Sequence, residues 1–172
     1  MRILLVDARY NIHHPYIVRT RAVIETTDWI FIVMELMGGG GLQENIEKRG
    51  TYTEGDAAEV MLRLSLTLGF LHSKGARNFS YHISCMLLIE RVRAGIAHRD
   101  VKPENILCGN THADVKLADF GFANILGSSH SGGFRSSVGT PVFMAPEIGD
   151  AGGYSCAVDV WSAVRLIPSR AV

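Results

Sequence analysis

The chain has 172 residues, 47% of them hydrophobic, which is one domain's worth of sequence with enough apolar content for a core. Seventeen basic residues balance seventeen acidic ones, so there is no electrostatic case for a nucleic-acid or membrane-surface partner. Cys85, Cys108 and Cys156 are odd in number and widely spaced, no apolar run reaches membrane-spanning length, and Met1–Asp7 is too short for a signal sequence, so a reducing, cytoplasmic location is expected.

In chain order, His13 and His14 come first. Adjacent side chains diverge and no third ligand lies nearby, so the pair predicts no metal site. Tyr16 to Ile24 and Trp29 to Leu36 are rich in β-branched and aromatic residues, and Glu25-Thr26-Thr27-Asp28 between them predicts a hairpin. The unbroken Gly38–Gly41 run lacks the spacing of a phosphate loop and predicts a flexible connector. Thr53 with Asp56 resembles a capping box, and Ala57, Val60, Met61, Leu64, Leu68 and Leu71 then recur at three- and four-residue spacing. A core-packing amphipathic helix is expected there, with Gly75 as its stop. The greasy run Ile83–Ile89 has no evident partner.

The chemistry is concentrated in His98-Arg99-Asp100-Val101-Lys102-Pro103-Glu104-Asn105, followed by Asp119-Phe120-Gly121. One short loop carries Asp100, Lys102 and Asn105, and a second strand, Val115–Ala118, delivers Asp119 with Gly121 to let the chain turn. Two carboxylates, an amide oxygen and a lysine suit a metal-bound phosphate. The oxygens hold Mg²⁺, the lysine neutralises phosphate charge, and the free carboxylate orients a hydroxyl. Ala145-Pro146-Glu147 follows at activation-loop distance. At these residues the chain resembles a eukaryotic protein kinase, and the lysine two places after Asp100 resembles the serine/threonine branch. Phe120-Gly121-Phe122-Ala123 and Gly139-Thr140-Pro141-Val142-Phe143-Met144 most resemble the calcium/calmodulin-dependent group.

The resemblance implies an α+β, kinase-like fold over residues 11–162, truncated at both ends. Residues 11–37 would be a small-lobe remnant of two strands and the hinge. Residues 42–162 would be the N-terminal half of the helical large lobe. Residues 1–10 and 163–172 fall outside the match. By resemblance, Asp100 positions the substrate hydroxyl, Lys102 contacts the transferred phosphate, and the Thr140 hydroxyl bridges the two. Asn105 and Asp119 would hold Mg²⁺. ATP would lie against the gatekeeper Met34, the hinge residues Glu35 and Met37, Glu104, and Leu107 as the adenine floor. His98, Phe120 and Gly121 belong to the structural frame, and Asp159 would hold the backbone of the His98-Arg99 loop. A phosphate on Ser136 would pair with Arg99 and order the segment. Glu147 would lack the arginine that is its usual partner. Expected partners are proteins bearing Ser/Thr hydroxyls and, in a full-length protein, a calcium-sensor regulator, with no nucleic acid and no membrane.

Two departures qualify the likeness. About twenty residues, 76–95, intervene where the family runs almost directly from Gly75 to Ile96; they read as an insertion of the retained-intron kind, with a surface helix or a docking element as the alternatives. The family's glycine-rich loop and strand lysine belong upstream of His13, yet the first glycine is Gly38 and the first lysine Lys48. The expectation is therefore a kinase by family whose 172 residues alone are inactive. The alternatives are a pseudokinase-like binding module or a fragmentary gene model without independent function.

Overall fold

A computed structural model describes residues 12–50, 52–74, 95–110, 114–126 and 133–166. Gly75 and the Ile83–Ile89 run lie outside the described residues.

Strands β1 (Thr20–Glu25) and β2 (Ile30–Met34) form the expected antiparallel hairpin, with Val23 opposite Ile32. Its turn is tied by the Thr26 N–H to the Trp29 carbonyl (2.8 Å) and by the Trp29 N–H to the Thr26 hydroxyl (3.0 Å). The strand does not reach back to Tyr16. Tyr16–Val18 instead lie along Leu117, with Val18 N–H to Leu117 O and Leu117 N–H to Tyr16 O, each 2.9 Å. The hairpin is apolar yet exposed on both faces: Trp29 is 70% and Phe31 52% accessible.

The glycine run is not the flexible connector expected from its composition. Gly40–Gly41 form β3, which pairs with β5 (Ile106–Cys108), itself paired with β6 (Val115–Leu117). The reason for glycine is close approach. A Cβ on Gly39 would stand 2.7 Å from the Cys108 carbonyl oxygen and collide with that of Gly109. Helix α1 (Leu42–Arg49) follows directly, and the Asn45 amide bonds back to the carbonyls of Gly39 (2.6 Å) and Gly41 (3.0 Å).

Helix α2 (Glu54–Ser73) starts with the complete Thr53/Asp56 capping box. Val60, Leu64, Leu68 and Leu71 are buried along one stripe, packed with Ile17, Leu42, Ile96, Val101, Ile106 and Leu117 in the main core. Gly95, placed by sequence at the end of the insertion, instead opens the buried strand β4 (Gly95–Ala97), with its Cα against the backbone of His72. β4 pairs antiparallel with β7 (Asn124–Leu126). Helix α3 (Ala157–Arg165) buries Val158, Asp159, Ser162 and Ala163. Its Val158 joins Phe134, Ala145, Ile148, Tyr154 and Cys156 in a second cluster.

Candidate active site

The geometry of the site begins at α3. Asp159 is wholly buried, and its carboxylate accepts the His98 N–H (2.8 Å) and the Arg99 N–H (2.7 Å). Nε2 of His72, brought in by α2, lies 2.8 Å from the same oxygen that takes the His98 N–H. These bonds hold Arg99 in a left-handed backbone conformation, φ 68°. Such a conformation costs of order 1–3 kcal/mol outside glycine and persists only where the surroundings over-determine it.

His98 is fully buried between this anchor and the next strand. The Asp100 N–H donates to its Nδ1 (3.3 Å), so the proton resides on Nε2, which donates to the Ala118 carbonyl (3.0 Å). Burial pushes the His98 pKa down against the opposing pull of Asp159, keeping the ring neutral. The ring meets Phe120 edge-on at 4.9 Å. The Ala118 N–H donates to the Asn105 carbonyl (2.8 Å). His98 and Asn105 thus clamp the residue that precedes Asp119.

Asp100 is 4% exposed, and both of its carboxylate oxygens are hydrogen-bonded. The Thr140 hydroxyl donates to one carboxylate oxygen (2.7 Å), while the Lys102 ammonium (2.9 Å) and the Asn105 amide (3.0 Å) reach the other. Lys102 also donates to Thr140 Oγ1 (2.9 Å), which closes a ring of three side chains. Burial alone would raise the Asp100 carboxyl. The Lys102, Thr140 and Asn105 hydrogen bonds outweigh it and hold the group below the ordinary carboxylate range. Gly139, at φ 122°, lets Thr140 approach: a Cβ there would be 2.6 Å from the Arg99 carbonyl oxygen.

Asp119 is exposed and left-handed, φ 56°, and accepts the Gly121 N–H (3.0 Å). The sharp turn expected of Gly121 is therefore made by Asp119 itself. A Cβ on Gly121 would stand 2.8 Å from the Asp119 carboxylate, so any side chain there would make that carboxylate shift. On the other side of β6, Lys116 pairs with Glu35 at 2.7 Å, and the Arg19 N–H donates to the same oxygen at 2.8 Å. Burial works to raise the Glu35 carboxyl, but these donors bring it below its usual value. Met34 ends β2 and is 45% exposed, Met37 and Leu107 are half-buried, and Glu104 is exposed.

The sequence profile described as "Protein kinase domain" matches residues 6–167, wider at both ends than the 11–162 span drawn from motifs. The chain belongs to the protein kinase family. It is 33% identical over 159 residues to myosin light chain kinase A of Dictyostelium discoideum, covering 91% of this chain and 46% of that protein. It is 35% identical over 154 residues to the human calcium/calmodulin-dependent protein kinase type 1B, covering 88% of this chain and 38% of that one. The chain spans less than half the length of these relatives.

Protein kinases generally use ATP and Mg²⁺, and the residues present fit the metal. Asn105 spends its amide N–H groups on Asp100, which leaves its side-chain oxygen unbonded among the described residues. One Asp119 oxygen is likewise unbonded there. Two hard oxygens suit Mg²⁺, which completes its shell with phosphate and water. Among the described residues no group of three His, Cys, Asp or Glu could form a closed metal cage. Ser136 presents an exposed side chain with no hydrogen bond, and Glu147 makes no ion pair among the described residues. Sequence reasoning missed His72, Lys116 and Tyr154. None of these carries a local signal, since each acts on a partner more than fifty residues away.

Proposed function

We propose that the protein transfers the terminal phosphoryl group of Mg-ATP to serine or threonine hydroxyls of protein substrates. The observation that carries this reading is the ionised Asp100 held in one ring with Lys102 and Thr140. A carboxylate kept charged at neutral pH can accept a proton from an incoming hydroxyl, and Lys102 beside it can meet phosphate charge. Mg-ATP, when bound, supplies the phosphoryl group and the counter-charge for it. Asn105 and Asp119 would hold the metal, and Leu107 would lie under the adenine, opposite Met34 and Met37. Similarity to kinases named for calmodulin and myosin light chain supports regulation by a calcium sensor and a contractile or cytoskeletal class of substrate. An intracellular location accords with that assignment.

For a polypeptide of these 172 residues alone we expect no activity. Within these 172 residues no glycine precedes Gly38 and no lysine precedes Lys48, so this stretch by itself carries neither a phosphate-binding glycine loop nor a strand lysine. Loss of roughly 100 Å² of apolar roof weakens nucleotide binding by about 2.5 kcal/mol. Loss of a charged hydrogen bond weakens it by about 1.5–3 kcal/mol more. Together these amount to about a thousandfold. The test is phosphate transfer from labelled ATP to a generic serine/threonine substrate, by these residues and by the same residues carrying an upstream glycine loop and lysine. Transfer by the extended form, abolished by Asp100→Ala, supports the reading. Transfer that survives Asp100→Ala refutes it.

A further inference from the structure

Arg99 is 8% exposed, and no carboxylate pairs with it among the described residues. A buried guanidinium is costly unless its donors are used. Here Nε–H donates to the Phe122 carbonyl (2.7 Å), Nη1–H donates to the Tyr154 phenol (3.2 Å), and the cation lies 5.3 Å from the Phe134 ring centroid. The Tyr154 hydroxyl in turn donates to the Ser136 carbonyl. Tyr154 and Phe134 exchange both backbone hydrogen bonds (2.7 and 2.9 Å), and their rings are 5.5 Å apart. Gly133, at φ 76°, permits this: a Cβ there would be 2.6 Å from the Tyr154 carbonyl oxygen. Residues 133–136 are therefore joined to Tyr154 by backbone, ring and hydroxyl at once. The same hydroxyl is what reaches Arg99.

We infer that Tyr154 is a positioning residue that fastens residues 133–136 to the catalytic-loop arginine without a phosphate. Its phenol occupies one guanidinium nitrogen and its proton goes to the Ser136 carbonyl, so residues 133–136 are fastened in the unmodified state. The hydroxyl is both acceptor and donor, and that dual capacity lets one side chain connect a cation to a carbonyl. Phenylalanine keeps the ring contact and loses only this link. The inference rests on the kinase reading for what Arg99 serves, but its test reads the fastening alone, so loss of phosphotransfer would leave it standing.

The experiment is limited trypsin digestion of the full chain, with cleavage at the Arg135–Ser136 bond followed by mass spectrometry. Amide exchange along α2 serves as the measure of intact fold. Tyr154→Phe is expected to speed cleavage at that bond about tenfold, the effect of one charge-assisted hydrogen bond, with α2 unchanged. Ser136→Ala is expected to change nothing, because the serine side chain is unused. Adding Ser136→Glu to Tyr154→Phe is expected to restore protection, since its carboxylate can take the freed guanidinium nitrogen. Unaltered cleavage in Tyr154→Phe overturns the inference, as does acceleration by Ser136→Ala or failure of the glutamate to rescue. Faster exchange throughout α2 would mark Tyr154 as an ordinary core residue and overturn it equally.

Discussion

The imidazole of His72 and the carboxylate of Asp159 meet at 2.8 Å in the protein interior, 87 positions apart in sequence. The oxygen they share also takes the His98 N–H, so two helices and the loop that begins at His98 converge on one atom. Asp159→Asn replaces one acceptor oxygen with a donor facing donors. An unsatisfied buried group costs about 1–3 kcal/mol, so amide exchange at His98 and Arg99 should accelerate by at least about fivefold. His72→Gln, which leaves both backbone donors satisfied, should accelerate it less. Equal effects from the two variants would show that the loop is not held through the Asp159 carboxylate.

The Asp100 ring is expected to open in acid. A carboxyl whose folded pKa lies below its unfolded value contributes stability above the unfolded pKa, and that stability is lost as pH falls through the folded one. Asp100 is of this kind, so the ring should be complete at neutral pH and titrate below about pH 3.9, the ordinary aspartate value. The carboxyl-carbon NMR shift of Asp100 measures the midpoint. Thr140→Ala should move it upward by removing one donor. A wild-type midpoint above the ordinary value would contradict the assigned hydrogen bonds.

Cys156 should be chemically inert. Burial, and then the charge of Asp159, push its thiol up to about 12. At pH 8 only about one molecule in ten thousand would carry the reactive thiolate. Iodoacetamide should leave Cys156 unmodified in the native protein and label it after denaturation, as read by peptide mapping. Rapid labelling of the native form would show that the site is open.

The β1–β2 hairpin should make this polypeptide self-associate. Ile24, Trp29, Ile30, Phe31, Val33 and Met34 are all exposed, and among the described residues neither outer strand edge of the hairpin is paired with another strand. Exposed apolar side chains gathered on one hairpin favour association. Light scattering should increase with concentration at micromolar protein, and Phe31→Lys should reduce it. Ideal monomeric behaviour of the unsubstituted chain across that range would count against the exposed hairpin.

Much of the site was legible in the order of residues because its parts are local. Thr53 and Asp56 cap α2 through bonds spanning three positions, and the Val60–Leu71 stripe follows from helical periodicity alone. Asp100, Lys102 and Asn105 share one loop, so their spacing announces a polar cluster before any fold is known. The hairpin is local in the same way, with its turn closed between Thr26 and Trp29. Tertiary structure decided what depends on distant segments meeting. The glycine run became a strand because β5 lies against it, and composition cannot tell close packing from flexibility. Arg99 and Asp119 adopt left-handed backbones, which residues other than glycine rarely do. Arg99 is held by Asp159, 60 positions away, and Asp119 by the clamp of His98 and Asn105 on Ala118. Whether Arg99 faces a phosphate or a phenol rests on where Tyr154 falls, 55 positions away, and only the folded chain brings the two together.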